Sequence, residues 1–186
     1  MLSVGGAVFY RPKEKQVQAD TARKALLRPF GDHLSLLHIW DTWVESNYDA
    51  HWCFDNFIQH RSMKKARDVR DQIVSLMARV EIPLSSSSDH FAIRKAILAG
   101  YFMNCAGTKG PGDAYRTLKH GQSVLIHPSS ALFRENPPWV IYHELVLTKH
   151  EYMRQVLEIQ PEWLLEAAPH YYKASDLKHF SEKRPK

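Results

Sequence analysis

Apolar residues recur at helical spacing over the first two-thirds of the chain and at strand spacing afterwards. "GDHLSLLHIWDTWVES" carries Leu34, Leu37, Trp40, Trp43 and Val44 on one predicted helical face, with Asp32 as its N-cap. "HWCFDNFI" adds a short amphipathic segment with Trp52, Phe54, Phe57 and Ile58. "RSMKKARDVRDQIVSLMARV" gives the strongest helix, with Met63, Ala66, Val69, Ile73, Met77 and Val80 as its apolar stripe. Lys64 with Asp68 and Arg67 with Asp71 form i,i+4 pairs on its solvent side. "IPLSSSSDHF" interrupts the pattern as a loop, and Ser88 or Asp89 caps a following helix, "FAIRKAILAGYFMNCA". That helix is expected to bury Phe91, Ile97, Tyr101 and Cys105 or their near neighbours.

The glycine-rich "GTKGPGD" is the expected domain boundary. Beyond it, "YRTL" and "SVLIH" read as strands of a hairpin turning at "KHGQ", and "ENPPW" stops a short helical turn. "WVIYHELVLT" is a strand apolar on both faces, as in a barrel, and "HEYMRQVLEI" is a further strand. "PEWLLEAAPHYY" is a closing helix with Pro161 at its first position and Pro169 as its stop. The tail "SDLKHFSEKRPK" is polar and without apolar periodicity. The expected class is therefore α+β: a helical bundle, then a small β-barrel of four or five strands with a C-terminal helix.

Composition narrows the chemistry. The 186 residues are 44% hydrophobic and 24% charged, ordinary globular values with material for a sizeable core. No apolar run approaches a membrane span, and the N-terminus lacks a signal-peptide pattern. A net charge of +5 permits a polyanionic partner without demanding one. The two cysteines, Cys53 and Cys105, read as buried free thiols in a reducing compartment. No Walker A spacing occurs around "GTKGPG", and "HELVLTKH" is not H-E-x-x-H, its His143 and Glu144 pointing to opposite faces of a strand. Ser129 and Ser130 lack a nucleophile elbow. No catalytic set and no metal site is announced.

A helical bundle joined to a small barrel with a basic hairpin suits single-stranded nucleic-acid binding. The candidate contacts are Arg116, Lys119, His120, His127, Ser129, Ser130, Tyr142, Lys149 and Arg154. Arginine and lysine would meet phosphates, and the hydroxyls phosphate or the 2′-OH. Spacing alone leaves an equal alternative, in which Arg116 and Lys119 are solvated charges and Tyr142 is core.

The stretches "MLSVGGAVFYRP", "WCFDNFIQHRSMKKARDVRDQI", "RKAILAGYF", "YRTLKHGQSVLIHPSSALF", "WVIYHELVLTKHEYMRQVLEI" and "WLLEAAPHYY" follow one another over nearly the whole chain. Together they resemble the C-terminal region of the DEAH-box RNA helicases of the spliceosome. "APHYYKASDL" and "RSMKKARDVRDQI" look most like the subgroup acting on the activated spliceosome before the first splicing step. The serine loop and "GTKGPG" depart from the family pattern.

The resemblance implies the end of a winged-helix unit at residues 1–12, a helical ratchet (helicase-associated) domain at 13–106, an OB-fold at 107–174 and a flexible tail at 175–186. It implies a nuclear pre-mRNA-splicing protein whose ratchet and OB-fold close a single-stranded RNA channel during 3′-to-5′ remodelling. ATP and Mg would belong to motor domains that match nothing here, so this chain should not hydrolyse ATP by itself. Spliceosomal proteins are the implied further partners, and docking of a G-patch activator is the alternative role. Arg61, Lys64 and Arg67 are secondary RNA candidates that read better as a solvated helix face.

Overall fold

The structure is a computed structural model, and it describes residues 7–108, 110 and 114–181. The chain divides into two compact units, residues 1–27 with 35–86, and residues 28–34 with 87–186.

The first unit is helical. It contains α1 (Gln16–Leu26), most of α2 (Asp32–Glu45), α3 (Ala50–Asp55) and α4 (His60–Arg79). Leu26, Ile39, Trp43, Cys53, Ile58 and Met63 form its core, with Val8, Phe9, Trp40, Tyr48 and Trp52 packed around them. The carboxylate of Asp49 caps α3 by accepting from the His51 and Trp52 amides at 3.0 and 3.1 Å. Trp43 meets Tyr48 edge-on at 5.0 Å, and the Arg67 guanidinium lies 4.2 Å over the Tyr48 ring.

The buried faces differ from the periodicity in detail. On α2, Ile39 is buried while Leu37 and Val44 are exposed, and on α3 Cys53 is buried while Phe54 is exposed. Only the N-terminal half of α4 buries its stripe, through Met63 and Ala66. Ile73 and Val80, expected inside, are 50% and 62% exposed. Of the expected winged-helix remnant at 1–12, residues 1–6 lie outside the described residues; Phe9 pairs with Ile58 and packs on the helical core.

The second unit holds α5 (His90–Tyr101), five strands, α6 (Glu162–Ala167) and α7 (Ala174–Ser181). The strands are β1 (Cys105–Gly107), β2 (Tyr115–Thr117), β3 (Ser123–Ile126), β4 (Trp139–Leu147) and β5 (Glu151–Glu158). They close into a barrel in the order β1-β2-β3-β5-β4, antiparallel throughout except for the parallel pair β3–β5. Closure leaves no free sheet edge. Inside the barrel sit Ala106, Tyr115, Val124, Ile126, Val140, Tyr142, Met153 and Val156. A second layer, built on Leu98, Ile141, Leu157, Trp163, Leu164 and Tyr172, joins α5 and α6 to the outside of β4 and β5. The first half of β4, Trp139 to Tyr142, is thus covered on both sides, which explains its apolar run, while Glu144 and Leu147 further along are exposed.

Three sequence boundaries move. The second unit takes in α5, because Leu98 and its neighbours bury against Trp163 and Leu164 rather than against the helical core. Cys105 is not in that helix: the helix ends at Tyr101, and Cys105 opens β1. "GTKGPGD" therefore connects two paired strands of one barrel, with Lys109 and residues 111–113 outside the described residues. The expected flexible tail starts with α7, held by buried Leu177 and by the ion pair of Asp176 with Lys119; residues 182–186 lie outside the described residues.

Residues 28–34 belong to the barrel unit because they run along β5. The Glu158 amide donates to the Phe30 carbonyl at 2.9 Å, and Gly31 pairs with Leu157. Gly31 has φ 126°, and a Cβ there would stand 2.3 Å from the Val156 carbonyl oxygen, so no other residue fits. Next to it, Asp32 receives the Ser130 hydroxyl at 2.7 Å, the Ala131 amide at 2.7 Å and the Val156 amide at 2.8 Å. One carboxylate so ties the start of α2 to the β3–β4 connection and to β5. Behind it, Arg94 is 6% exposed, its guanidinium 4.1 Å from the Phe30 ring and 5.0 Å from the Trp163 ring.

Candidate nucleic-acid interface

A concave feature of the barrel opens where three connections meet at one end. Its walls come from Ala114 and Tyr115 at the start of β2, from Leu125 and Ile126 on β3, and from Pro128, Phe133 and Asn136 in the β3–β4 connection. His150 and Tyr152, at the turn into β5, complete it, and the groove encloses about 480 Å³. This is the region through which five-stranded barrels of this topology take oligonucleotides and oligosaccharides: the β2–β3 face with the β1–β2 and β4–β5 loops.

Local chemistry explains how each wall is set. Tyr115 alternates inward on β2, and its hydroxyl donates to the Pro137 carbonyl at 2.5 Å, so the floor is pinned to the β3–β4 connection. Burial pushes the Tyr115 hydroxyl pKa up, so it stays a neutral donor. His127 ends β3; its Nδ1 lies 2.7 Å from the Ser129 hydroxyl and accepts the Ser129 amide at 3.1 Å. The His127 ring meets Tyr152 edge-on at 5.6 Å, and His150 does so at 6.2 Å. "IHPSS" is therefore a compact turn whose His127 supports Tyr152 and whose Pro128 lines the groove. Phe133 is 43% exposed and makes no ring contact among the described residues. Asn136 lines the groove from a left-handed backbone, φ 45°, a conformation Asn tolerates better than most residues.

The nine sequence candidates divide into three groups. Lys149 in the β4–β5 turn and His120 in the β2–β3 turn are exposed, and neither has an ion pair among the described residues. Arg116 is exposed on β2, donating one N–H to the Gly121 carbonyl at 3.1 Å; Arg154 is exposed on β5, 3.7 Å from Glu144. An exposed pair of that length holds its arginine weakly. Arg116, Arg154 and Lys149 lie on the strands and the turn beside the groove, whereas His120 sits in the β2–β3 turn at the other end of β2 and β3.

Lys119 is committed elsewhere. Its ammonium is 3.0 Å from Asp176 and lies 5.0 and 5.2 Å from the Tyr171 and Tyr172 ring centres. The Asp176 carboxylate, which accepts from the Lys173 amide and from Lys119, is held below its usual pKa. Ser130 is buried on Asp32, and Tyr142 is 7% exposed inside the barrel, where burial raises its hydroxyl pKa. For Tyr142 the structure gives the core placement that spacing left open. His127 and Ser129 flank the groove but satisfy each other.

Phe133, Asn136, His150 and Tyr152 went unnoticed in the sequence. The available signal was an aromatic and an asparagine in the polar connection after "IHPSS", but loop residues carry no periodicity to show which of them face one another.

Among the described residues no group of three or more His, Cys, Asp or Glu side chains is placed to hold a metal ion. No helix among them is long and apolar enough to cross a membrane.

Residues 93–171 match the model of the oligonucleotide/oligosaccharide-binding (OB)-fold family. The match runs from within α5, through the five strands and α6, to Tyr171, and so covers the groove and everything that shapes it. The OB-fold of this family is associated with helicase C-terminal regions.

Proposed function

We propose that the chain is the non-motor C-terminal part of a spliceosomal DEAH-box RNA helicase, and that its barrel groove holds single-stranded RNA. The carrying observation is the groove itself: a closed five-stranded OB barrel with Phe133, His150 and Tyr152 around an opening framed by the β2–β3 face and the β4–β5 turn. Aromatic faces accept unstacked bases, and Lys149, Arg116 and Arg154 supply phosphate contacts around them. Sequence tolerance follows from a contact set made mostly of stacking and charge.

Under this reading the helical unit is the ratchet, and ATP and Mg are bound by motor domains outside this chain. The protein acts in the nucleus, alongside spliceosomal partners, in 3′-to-5′ remodelling. The subgroup acting before the first splicing step is the finer form of the proposal and rests on "APHYYKASDL" and "RSMKKARDVRDQI".

A second reading, docking of a protein such as a G-patch activator, is favoured by one feature. Ile73 and Leu76 on α4, Val80 at its C-cap, and Ile82 and Leu84 beyond it are each at least half exposed.

Titration of the chain with labelled oligouridine at about 50 and 200 mM salt tests the first reading. Each phosphate contact contributes about 0.7 to the log–log salt slope, so Lys149→Ala and Arg116→Ala should each weaken binding and flatten the slope by about that amount. Lys119→Ala should change affinity less, because its ammonium serves Asp176. Absence of binding, or binding insensitive to salt and to both substitutions, would refute it.

A further inference from the structure

Stacking and charge explain a sequence-tolerant groove, but Asn136 serves neither. It lines the groove, its side-chain amide has no hydrogen-bond partner among the described residues, and its backbone sits at φ 45°. Non-glycine residues in that region cost free energy and cluster at functional sites. The fold fixes the position on both sides: the Asn136 amide donates to the Leu132 carbonyl at 3.2 Å, and the carbonyl of the following Pro137 receives the Tyr115 hydroxyl. Leu132 is buried in the barrel core, so the geometry of this turn is set from within.

From these observations we infer that the groove is a pocket for one unstacked nucleobase, read along its edge by Asn136, and that it prefers adenine. The inference rests on the single-strand-binding reading and adds a base-specific step to it. Phe133 and Tyr152 supply aromatic faces at the opening, while Leu125, Ile126 and Pro128 supply an apolar wall. About 480 Å³ is within the ordinary range for a small-molecule pocket and admits a base with its sugar. An asparagine amide presents one donor and one acceptor side by side, which matches the paired amino group and ring nitrogen of adenine. A purine also offers the larger stacking face.

The OB-fold class takes oligosaccharides as well, but stacked sugars would need several hydroxyl-directed polar groups. Asn136, His150 and the Tyr152 hydroxyl are the hydrogen-bonding side-chain groups at this groove without a hydrogen-bond partner among the described residues, too few to direct a run of sugars.

The test uses the whole chain and U-rich RNA oligomers carrying a single adenosine, or a single abasic site, at each position in turn. One register should stand out. Adenosine there should tighten binding several-fold over uridine, and an abasic site there should weaken it about tenfold or more. Asn136→Gly keeps the left-handed backbone while deleting the amide, and should abolish the adenosine preference, so that adenosine- and uridine-bearing oligomers bind alike. Phe133→Leu should weaken binding of every intact oligomer and reduce the abasic penalty. The oligomer scan makes the result independent of how either variant folds.

Equal affinity at all registers, or a preference that survives Asn136→Gly, would overturn the pocket and leave the single-strand reading standing. Failure of every oligomer to bind would overturn both.

Discussion

Replacing Asp32 by alanine removes the acceptor for three donors at once: the Ser130 hydroxyl and the Ala131 and Val156 amides, all within 2.8 Å. The hydroxyl can turn to another acceptor, whereas the two backbone amides are fixed by the fold. Each amide left without an acceptor costs about 1–3 kcal/mol, and charge-assisted bonds lie at the upper end. Asp32→Ala should therefore destabilise the barrel unit by about 3–5 kcal/mol. Asp32→Asn separates this role from simple helix capping. Asparagine caps a helix as well as aspartate does, so a cap alone predicts no loss for Asn and about 1 kcal/mol for Ala. In the three-donor arrangement one carboxylate oxygen serves Ser130 and Val156 and the other serves Ala131, so an NH₂ in either place opposes an N–H. Asp32→Asn should then cost about 2 kcal/mol. Urea denaturation with tryptophan fluorescence gives the total, since Trp139 and Trp163 both report on this unit. Amide exchange at Ala131 and Val156 locates it. A near-neutral Asn variant with unchanged exchange at both amides would refute the reasoning.

Three further expectations follow from buried groups. His33 is 7% exposed with both ring nitrogens unpartnered among the described residues, and burial, with His143 nearby, pushes its pKa from 6.5 down to about 4. The unfolded chain then binds a proton that the folded one refuses, so stability present above pH 6.5 is lost by about 3 kcal/mol as pH falls to about 4; His33→Phe should flatten that part of the pH profile, and an unchanged profile would contradict it. Arg94, stacked between Phe30 and Trp163, should tolerate methionine better than lysine, because lysine keeps the buried charge but loses the planar face; equal melting temperatures for the two variants would contradict this. Cys53 and Cys105 are both at most 1% exposed, with the Cys53 thiol pushed up to about 11 and that of Cys105 higher still, so neither should react with a thiol reagent at pH 8 until the chain unfolds.

Where the sequence was informative, the reason is periodicity. Short β-branched runs separated by "KHGQ" gave the β2–β3 hairpin, and the doubly apolar "WVIY" marked the half of β4 that is covered on both faces. Of the two caps the sequence offered for α5, Ser88 and Asp89, it is Asp89 that accepts from the Phe91 amide, at 2.8 Å. Where it was not, partners decided. Ile39 rather than Leu37 lies in the helical core, one turn before Trp43, a choice between nearby apolar positions that only the packed partners make. The strand β1 is three residues long, too short for alternation, so Cys105 read as the end of a helix. Arg94 drew no notice in the sequence, because nothing local shows two aromatic rings arriving from residues 30 and 163. The site followed the same rule: the cations were visible by residue type, but the groove joins four separate segments, and only the closed barrel brings Phe133 and Asn136 to His150 and Tyr152.

The central claim is that RNA lies in the barrel groove. Photocrosslinking the chain to oligouridine that carries a photoreactive base, followed by mass-spectrometric mapping, tests it directly. Crosslinks are expected at Phe133, His150 and Tyr152, lost in Phe133→Leu at that position and competed by unlabelled single strands. Crosslinks confined to α4 around Arg61, Lys64 and Arg67, with none at the groove, would contradict it.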